Sequence, residues 1–327
     1  MKDLITQIFS IDSAEKFNSV ALEVFKIQSS NSPVYREFLE NLEINPSIIN
    51  NIKDIPFLPV EFFKERDIIL EGKSVQKIFT SSATSGMIPA RHLVADLSIY
   101  EESFIRAFTH FYGDPKEWTI LALLPSYLER DGSSLVYMAD KLIKLTEDIN
   151  SGFYLYNFDE LFITLEKQKA SKKKTLLLGV SFALKDFCQQ YSLDYPDLII
   201  METGGMKGRG EEIPREELHS IFCQSFNTKH IHSEYGMAEL LSQSYSSGEG
   251  LFFSPSWKKI IIRDLANPLK HLGNNQIGGI SIIDLANINS CSFIQTMDLG
   301  IKETEDSFKV LGRIQNSEIR GCNLLLD

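Results

Sequence analysis

Cysteine is scarce and scattered in this chain. The four residues Cys188, Cys223, Cys291 and Cys322 contain no CxxC pair, which argues against a disulfide framework or a zinc ribbon and fits reduced thiols. Long apolar runs are missing as well. Stretches such as Ile120 to Leu124 and Ile260 to Ile262 fall far short of the roughly 20 residues that a membrane-spanning helix needs. Positive charge is in deficit, with 33 Lys and Arg against 44 Asp and Glu for a net charge of −11. A sequence-independent grip on nucleic acid or anionic lipid is therefore not expected, and any basic site must be local. The opening segment MKDLITQIFSIDSAEKF carries Asp3, Asp12 and Glu15 but no basic start, apolar centre or small-residue cleavage site. It does not read as a signal peptide, so a cytoplasmic location is expected. No internal repeat, linker-like tract or long block of one charge divides the chain, which suggests subdomains within one globule.

What is present is an ordinary globular composition, 43% hydrophobic and 24% charged, enough to bury a substantial core over 327 residues. Asp12 with Glu15 marks a helix start, and Phe17, Val20, Ala21, Val24 and Phe25 follow at helical spacing. Residues 76–79 read as a strand running into TSSATSG, 80–86. Asp96 can cap a helix with the stripe Leu97, Tyr100, Phe104, Ala107, Phe108 and Phe111, which Gly113 ends. Strands at 119–124, 153–156, 175–180 and 197–201 then alternate with helices at 133–146, 158–169, 182–191 and 214–225. Pro214 suits the first turn of the last of these helices. This alternation predicts parallel α/β construction. From about residue 240 the pattern becomes short β runs, at 251–253, 257–263, 278–284, 292–297 and 308–312.

Several segments could carry chemistry. Ser81, Ser82, Thr84, Ser85 and Gly86 form a hydroxyl-rich loop after a strand, where backbone N–H groups and hydroxyls can wrap phosphates. A surface turn has the same composition, and the GK[ST] ending of a Walker loop is absent. Gly204 and Gly205, in ETGGMKGR, let a flat ligand lie against the backbone at a strand end, or make a plain tight turn. In HSEYGMAE, Tyr235 can pack on a base, Gly236 keeps the backbone close and Glu239 can hold Mg²⁺ beside phosphates. Asp298, in TMDLG, can accept hydrogen bonds from ribose hydroxyls, and Arg313 supplies a cation. His230 and His232, read as sharing a strand face, have only Cys223 nearby as a soft ligand, so a zinc site is not expected.

Taken in order, these segments resemble the adenylate-forming enzymes. Within that superfamily, LLPSYLERDGSSLVYM (123–138), ETGGMKGRGEEIPREELH (202–219), HSEYGMAELLSQSYS (232–246), WKKIIIRD (257–264), TMDLG (296–300) and GRIQNSEIRGCNLL (312–325) are similar to the acyl-protein synthetases of the luminescence fatty acid reductase system. Those synthetases in turn resemble phenylacetate-CoA ligases. The resemblance implies an α/β fold of two parallel-sheet subdomains plus a β-rich C-terminal part, without the mobile lid domain. It implies one domain over 1–327, with subdomains near 1–240 and 241–327. It also implies a ligase that attacks the α-phosphate of Mg·ATP with a carboxylic acid, a fatty acid by analogy, and passes the acyl group from AMP to a thiol.

By the same analogy Ser81, Ser82, Thr84, Ser85 and Gly86 hold the outer phosphates, with Arg91 as a nearby cation. Gly204, Gly205, Tyr235 and Gly236 frame adenine, Glu239 binds Mg²⁺, Asp298 the ribose and Arg313 the ribose or phosphate side. Cys322, beside Arg320, is the implied acyl acceptor, and a buried structural thiol is its alternative role. A protein acceptor such as an acyl reductase or carrier protein would follow, or CoA would take the acyl group instead. The sequence departs from the superfamily at Ala83, where Gly is usual, at Ala238, where Thr is usual, and at Gln315, the hinge Asp position. These departures make a nucleotide- or acyl-binding protein without catalysis a further alternative.

Overall fold

The computed structural model describes residues 2–81, 88–124, 132–204 and 213–314. Three helices open the chain: α1 (Lys2–Phe9), α2 (Ala14–Asn31) and α3 (Pro33–Asn41). Ser13, not Asp12, caps α2, because its side chain accepts from the Lys16 N–H. The expected stripe from Phe17 to Phe25 is buried. A short strand β1 (Leu58–Pro59) and the single turn α4 (Phe62–Glu65) lead to the hairpin β2 (Lys77–Thr80) and β3 (Arg91–Val94). Next comes α5 (Leu97–Tyr112), capped by the Asp96 carboxylate on the Ser98 N–H and ended by Gly113 at φ +88°, both as the sequence indicates.

The middle of the chain alternates as anticipated: β4 (Trp118–Leu123), α6 (Ser134–Thr146), β5 (Gly152–Tyr154), α7 (Phe158–Ser171), β6 (Lys174–Val180), α8 (Ser181–Gln190), β7 (Ile199–Thr203) and α9 (Arg215–Phe226). Pro214 stands at the N-cap of α9 rather than inside its first turn. Strands β8 (His232–Tyr235), β9 (Ser244–Ser246), β10 (Leu251–Phe253), β11 (Lys258–Arg263), β12 (Ile277–Asp284), β13 (Phe293–Lys302) and β14 (Ser307–Arg313) complete it.

Among the described residues, the expectation of two parallel sheets gives way to one 12-stranded mixed sheet and the separate hairpin β2–β3. The sheet order is β11-β12-β13-β14-β10-β9-β8-β7-β6-β4-β5, with β1 beside β13. Only β5, β4, β6, β7 and β8 form a parallel block. From β8 onward along that order the neighbours run antiparallel, while the added short strand β1 pairs with β13 in parallel. In the parallel block each strand is followed by a helix that carries the chain back for the next, whereas β9 and β10 are joined by a turn of a few residues, which permits only antiparallel return. Both faces of the parallel block are covered, so β4 is buried at every position.

The N-terminal helices are tied to the far end of the chain. Gln28 donates to the carbonyls of Asn287 and Ile288 and to Ser292 Oγ, and accepts from the Ser292 N–H. Phe25, Tyr35 and Phe57 pack around Phe293. Cys188, Cys223 and Cys291 are free thiols, and no helix of the described residues is long and apolar enough to cross a membrane.

Gly278 and Gly300 face each other across β12 and β13. A methyl group on Gly300 would come within 2.6 Å of Ile280 Cδ1 and 2.7 Å of the Lys309 carbonyl oxygen. Gly300→Ala should cost about 1–3 kcal/mol through overpacking, read as a lower urea midpoint with an unchanged m-value.

Candidate functional site

Strands β7 and β8 pair in parallel, with Met201 opposite His232 and Thr203 opposite Glu234. The Thr203-Gly204 and Tyr235-Gly236 steps therefore leave the sheet side by side, at the carboxyl edge where open α/β sheets bind ligands. Thr203 donates to the Glu234 carboxylate at 2.6 Å. Gly204 takes φ +77°, a left-handed angle that suits glycine. A side chain on Gly236 would collide with the Glu234 carboxylate.

Tyr235 reaches across to the β-rich part, where its hydroxyl donates to Asp298 Oδ2 at 2.7 Å. Asp298 lies opposite Arg313 across β13 and β14, and Arg313 Nε stands 3.6 Å from its other oxygen. Asp298 is buried while the Arg313 side chain is 85% exposed, so this cation borders the site from solvent. Burial raises the Asp298 pKa, partly offset by the Tyr235 hydroxyl and Arg313. Burial, followed by the Asp298 charge and hydrogen bond, pushes the Tyr235 phenol well above its usual range.

Glu239 is buried too. Burial raises its pKa, Arg313 and Lys64 pull it down, and Asp298 pushes it up. Glu239 thus shares one electrostatic environment with Asp298 and Arg313. Among the described residues it forms no ion pair within 4.0 Å. A buried carboxylate without an ion-pair partner is a ligand that fits Mg²⁺, which takes one or two carboxylates and completes its shell with phosphates and water.

The segment from Gly236 to Gln243 has no regular ladder, so its buried backbone groups need partners from elsewhere. Four side chains supply them. His92 Nδ1 lies 3.0 Å from the Ala238 carbonyl, Asn287 Nδ2 donates to the Glu239 carbonyl at 2.8 Å and Lys258 Nζ to the Ser242 carbonyl at 2.9 Å. Asp284 accepts the Leu241 N–H at 3.0 Å, the Ser242 N–H at 2.9 Å and the Ser242 hydroxyl at 2.6 Å. His92 follows Arg91 on β3, opposite Phe79, so it also ties the base of the hydroxyl loop to the Glu239 segment.

Ser81 closes the base of that loop, its N–H donating to the Ala90 carbonyl and its Oγ accepting the Ala90 N–H at 2.8 Å. Arg91 points instead to Asp67, at 3.1 Å on the surface. Ser82, Thr84, Ser85, Gly86, Gly205 and Cys322 lie outside the described residues, as do Ala83, Gln315 and Arg320. The structure thus brings together Tyr235, Asp298, Arg313 and Glu239, and sets Gly204 beside Gly236.

One detail of the sequence reading is corrected. Strand β8 begins only at His232 and runs through Tyr235, so His230 and His232 do not share a strand face; His232 Nδ1 meets the Tyr112 hydroxyl at 3.1 Å. A cavity of about 270 Å³ is lined by Trp118, Ile199 and His232, the first residues of β4, β7 and β8. It therefore lies at the amino edge, opposite the carboxyl edge.

Buried Lys258, Asp284, His92 and Asn287 were missed as site residues. For Lys258 a signal existed, since period-2 alternation places it on the same face as Ile260 and Ile262. For the others, only their partners distant in sequence reveal the role.

A family model described as acyl-protein synthetase, LuxE, matches residues 7–113. The chain is 24% identical over 325 residues to the long-chain-fatty-acid–luciferin-component ligase of Vibrio harveyi, covering 90% of this chain and 82% of that protein. The chain is similar in sequence to the LuxE acyl-protein synthetases. Among solved structures, a 2-hydroxyisobutyryl-CoA ligase in complex with 2-HIB-AMP and CoA matches 95% of this chain and 71% of its own, with TM-score 0.69 and 12% identity. ATP-bound MatB from Rhodopseudomonas palustris matches 73% of this chain with TM-score 0.55 and 15% identity. This chain spans about half the length of MatB, 48%. At these identities the two structures speak to the fold alone: a mixed α/β fold like that of adenylate-forming ligases over most of the chain.

Tyr235→Phe removes a hydrogen bond to a buried carboxylate and should destabilise the fold by about 1.5–3 kcal/mol in chemical denaturation. His92 is fully buried, and burial lowers its pKa to about 4, with the Ala238 carbonyl opposing. The unfolded chain binds its proton near pH 6.5 and the folded chain does not, so His92 makes stability fall as pH drops from about 6.5 to 4, by on the order of 3 kcal/mol in full. His92→Gln should flatten that part of the stability–pH curve.

Proposed function

We propose that this chain is an ATP-dependent acid–thiol ligase that activates a fatty acid as acyl-AMP and transfers it to a thiol, Cys322, for delivery to a partner protein. The observation that carries the reading is the Tyr235–Asp298–Arg313 constellation beside buried Glu239, at the carboxyl edge of a sheet like that of adenylate-forming ligases. The relationship to a ligase named for long-chain fatty acids and a luciferin component supports fatty acid as the acid class.

Two bond exchanges make up the reaction. A carboxylate oxygen attacks the α-phosphorus of ATP and pyrophosphate leaves; the thiolate sulfur then attacks the acyl carbonyl and AMP leaves. In this reading Tyr235, with Gly204, Gly205 and Gly236 keeping the backbone close, packs along adenine. Asp298, already desolvated and oriented by Tyr235, accepts the ribose hydroxyls, since a preformed charged acceptor loses little on ordering. Arg313, exposed at the rim, adds positive charge on the ribose or phosphate side, and Ser81, Ser82, Thr84, Ser85 and Gly86 would cradle the outer phosphates. Mg²⁺, held by Glu239, would neutralise phosphate charge. We further take residues 1–327 as one domain, with an α/β part near 1–240 and a β-rich part near 241–327, acting in the cytoplasm.

The test is acid-dependent ATP–pyrophosphate exchange, followed by capture of labelled acyl group on the protein. Asp298→Ala should cut exchange about 10- to 100-fold, the equivalent of about 1.5–3 kcal/mol for a hydrogen bond to a charged acceptor. Cys322→Ser should keep exchange and lose the retained label. Absence of exchange across a broad panel of fatty acids, despite ATP binding, would overturn the reading; label retained by Cys322→Ser would exclude Cys322 as acceptor.

A further inference from the structure

Lys258 is an ionisable group that no step of the proposed reaction uses, and its setting is unusual. It is the first residue of β11 and is almost wholly buried, 4% exposed. Its ammonium donates to the Ser242 carbonyl at 2.9 Å and stands 5.4 Å from the centroid of the Tyr235 ring, within cation–π range. Among the described residues no carboxylate comes within 4.0 Å of it to form an ion pair. A buried ammonium without a paired carboxylate is costly, because desolvation opposes the charged form. The ring edge is held as well, by Phe252 at 5.9 Å and Phe308 at 5.7 Å.

Directly opposite Lys258 in the ladder is Asp284, the carboxylate that takes the Leu241 and Ser242 N–H groups. One cross-strand pair on β11 and β12 therefore grips the end of the Glu239 segment by a carbonyl and by two N–H groups. The same lysine also lies on the ring whose hydroxyl orients Asp298.

We propose that Lys258 is a positioning residue for the nucleotide site, its ammonium joining the Ser242 carbonyl to the face of Tyr235 so that the ring and the Glu239 segment are held as one unit. The proposal rests on the nucleotide reading given above and adds to it a residue that touches neither nucleotide nor acid. The charged groups facing Lys258 are Asp284 on β12 and Glu234 on β8, with the Tyr235 phenol on β8 beside it. Burial lowers the Lys258 pKa to about 8, with Asp284 and Glu234 opposing the shift. The cation is therefore present at pH 7 and lost as pH rises through about 8, and with it goes the attraction to the ring.

The test uses the full chain as wild type, Lys258→Met and Lys258→Arg, with two readouts: hydrogen exchange of peptides covering 236–243, corrected for intrinsic rates, and the Kd for AMP. In a Lys258→Met protein that unfolds cooperatively, exchange in 236–243 should rise at least tenfold and AMP binding should weaken about tenfold, while 174–180 in β6 stays protected. In wild type, AMP binding should weaken several-fold between pH 7 and 9, and in Lys258→Met that dependence should vanish. Wild-type exchange rates in 236–243 for a folded Lys258→Met would overturn the proposal. Should Lys258→Met fail to fold, Lys258→Arg and the wild-type pH series decide instead: a flat wild-type profile from pH 7 to 9, with unchanged protection of 236–243, overturns it. If wild type binds no nucleotide at all, the ligase reading falls by itself, and the exchange of 236–243 still judges the clamp.

Discussion

A buried stretch of backbone that belongs to no ladder must find hydrogen-bond partners in side chains, and the segment between Tyr235 and Ser244 is such a stretch. Its carbonyls at Ala238, Glu239 and Ser242 are met by His92, Asn287 and Lys258, and its N–H groups at Leu241 and Ser242 by Asp284. These side chains come from β3, β11, the end of β12 and the turn after it. Leaving any of those groups unmet inside the protein would cost about 1–3 kcal/mol each, so the segment has little freedom to take another path. The position of Glu239 follows from that.

The same constraint explains why the candidate site spans the change from parallel to antiparallel pairing. β8 closes the parallel block and pairs with β9 in the opposite sense, and the residues between them make the turn. Tyr235 stands at the last position of β8 and bonds to Asp298 on β13, although β9, β10 and β14 lie between those strands in the sheet order. A contact across so many strands requires the sheet to curve back on itself. The packing of Tyr235, Phe252 and Phe308 against one another fills the concave side. The N-terminal helices brace the other end of this curved part through Gln28, so the opening residues, where the family model matches, are structurally coupled to the site region.

Another buried carboxylate marks the parallel side of the site. Glu202 on β7 accepts the Ser181 hydroxyl at 2.5 Å, with Arg215 Nε at 3.5 Å and His219 Nε2 at 3.7 Å. Burial alone would raise its pKa, but His219, Ser181 and Arg215 outweigh it and leave it below the usual value. It stays ionised, which fixes the strand immediately before Gly204. Both sides of the site are thus anchored by a buried charge satisfied within the protein, an arrangement that favours one geometry over close alternatives.

Sequence by itself determined a good deal. Local signals are enough where an element is long and its caps are short-range: the helix from Leu97 to Tyr112 with Asp96 and Gly113 at its ends, the alternation through α9 and the β runs after 240 were legible because periodicity and capping act over a few residues. The order of Tyr235, Glu239, Asp298 and Arg313 along the chain was legible too. Tertiary structure alone decided that there is one mixed sheet, that Arg91 pairs with Asp67, and that Lys258, Asp284, His92 and Asn287 hold the Glu239 segment. Those features depend on partners separated by tens to hundreds of residues, and strand pairing or the burial of a charge carries no local signature until the chain has brought such partners together.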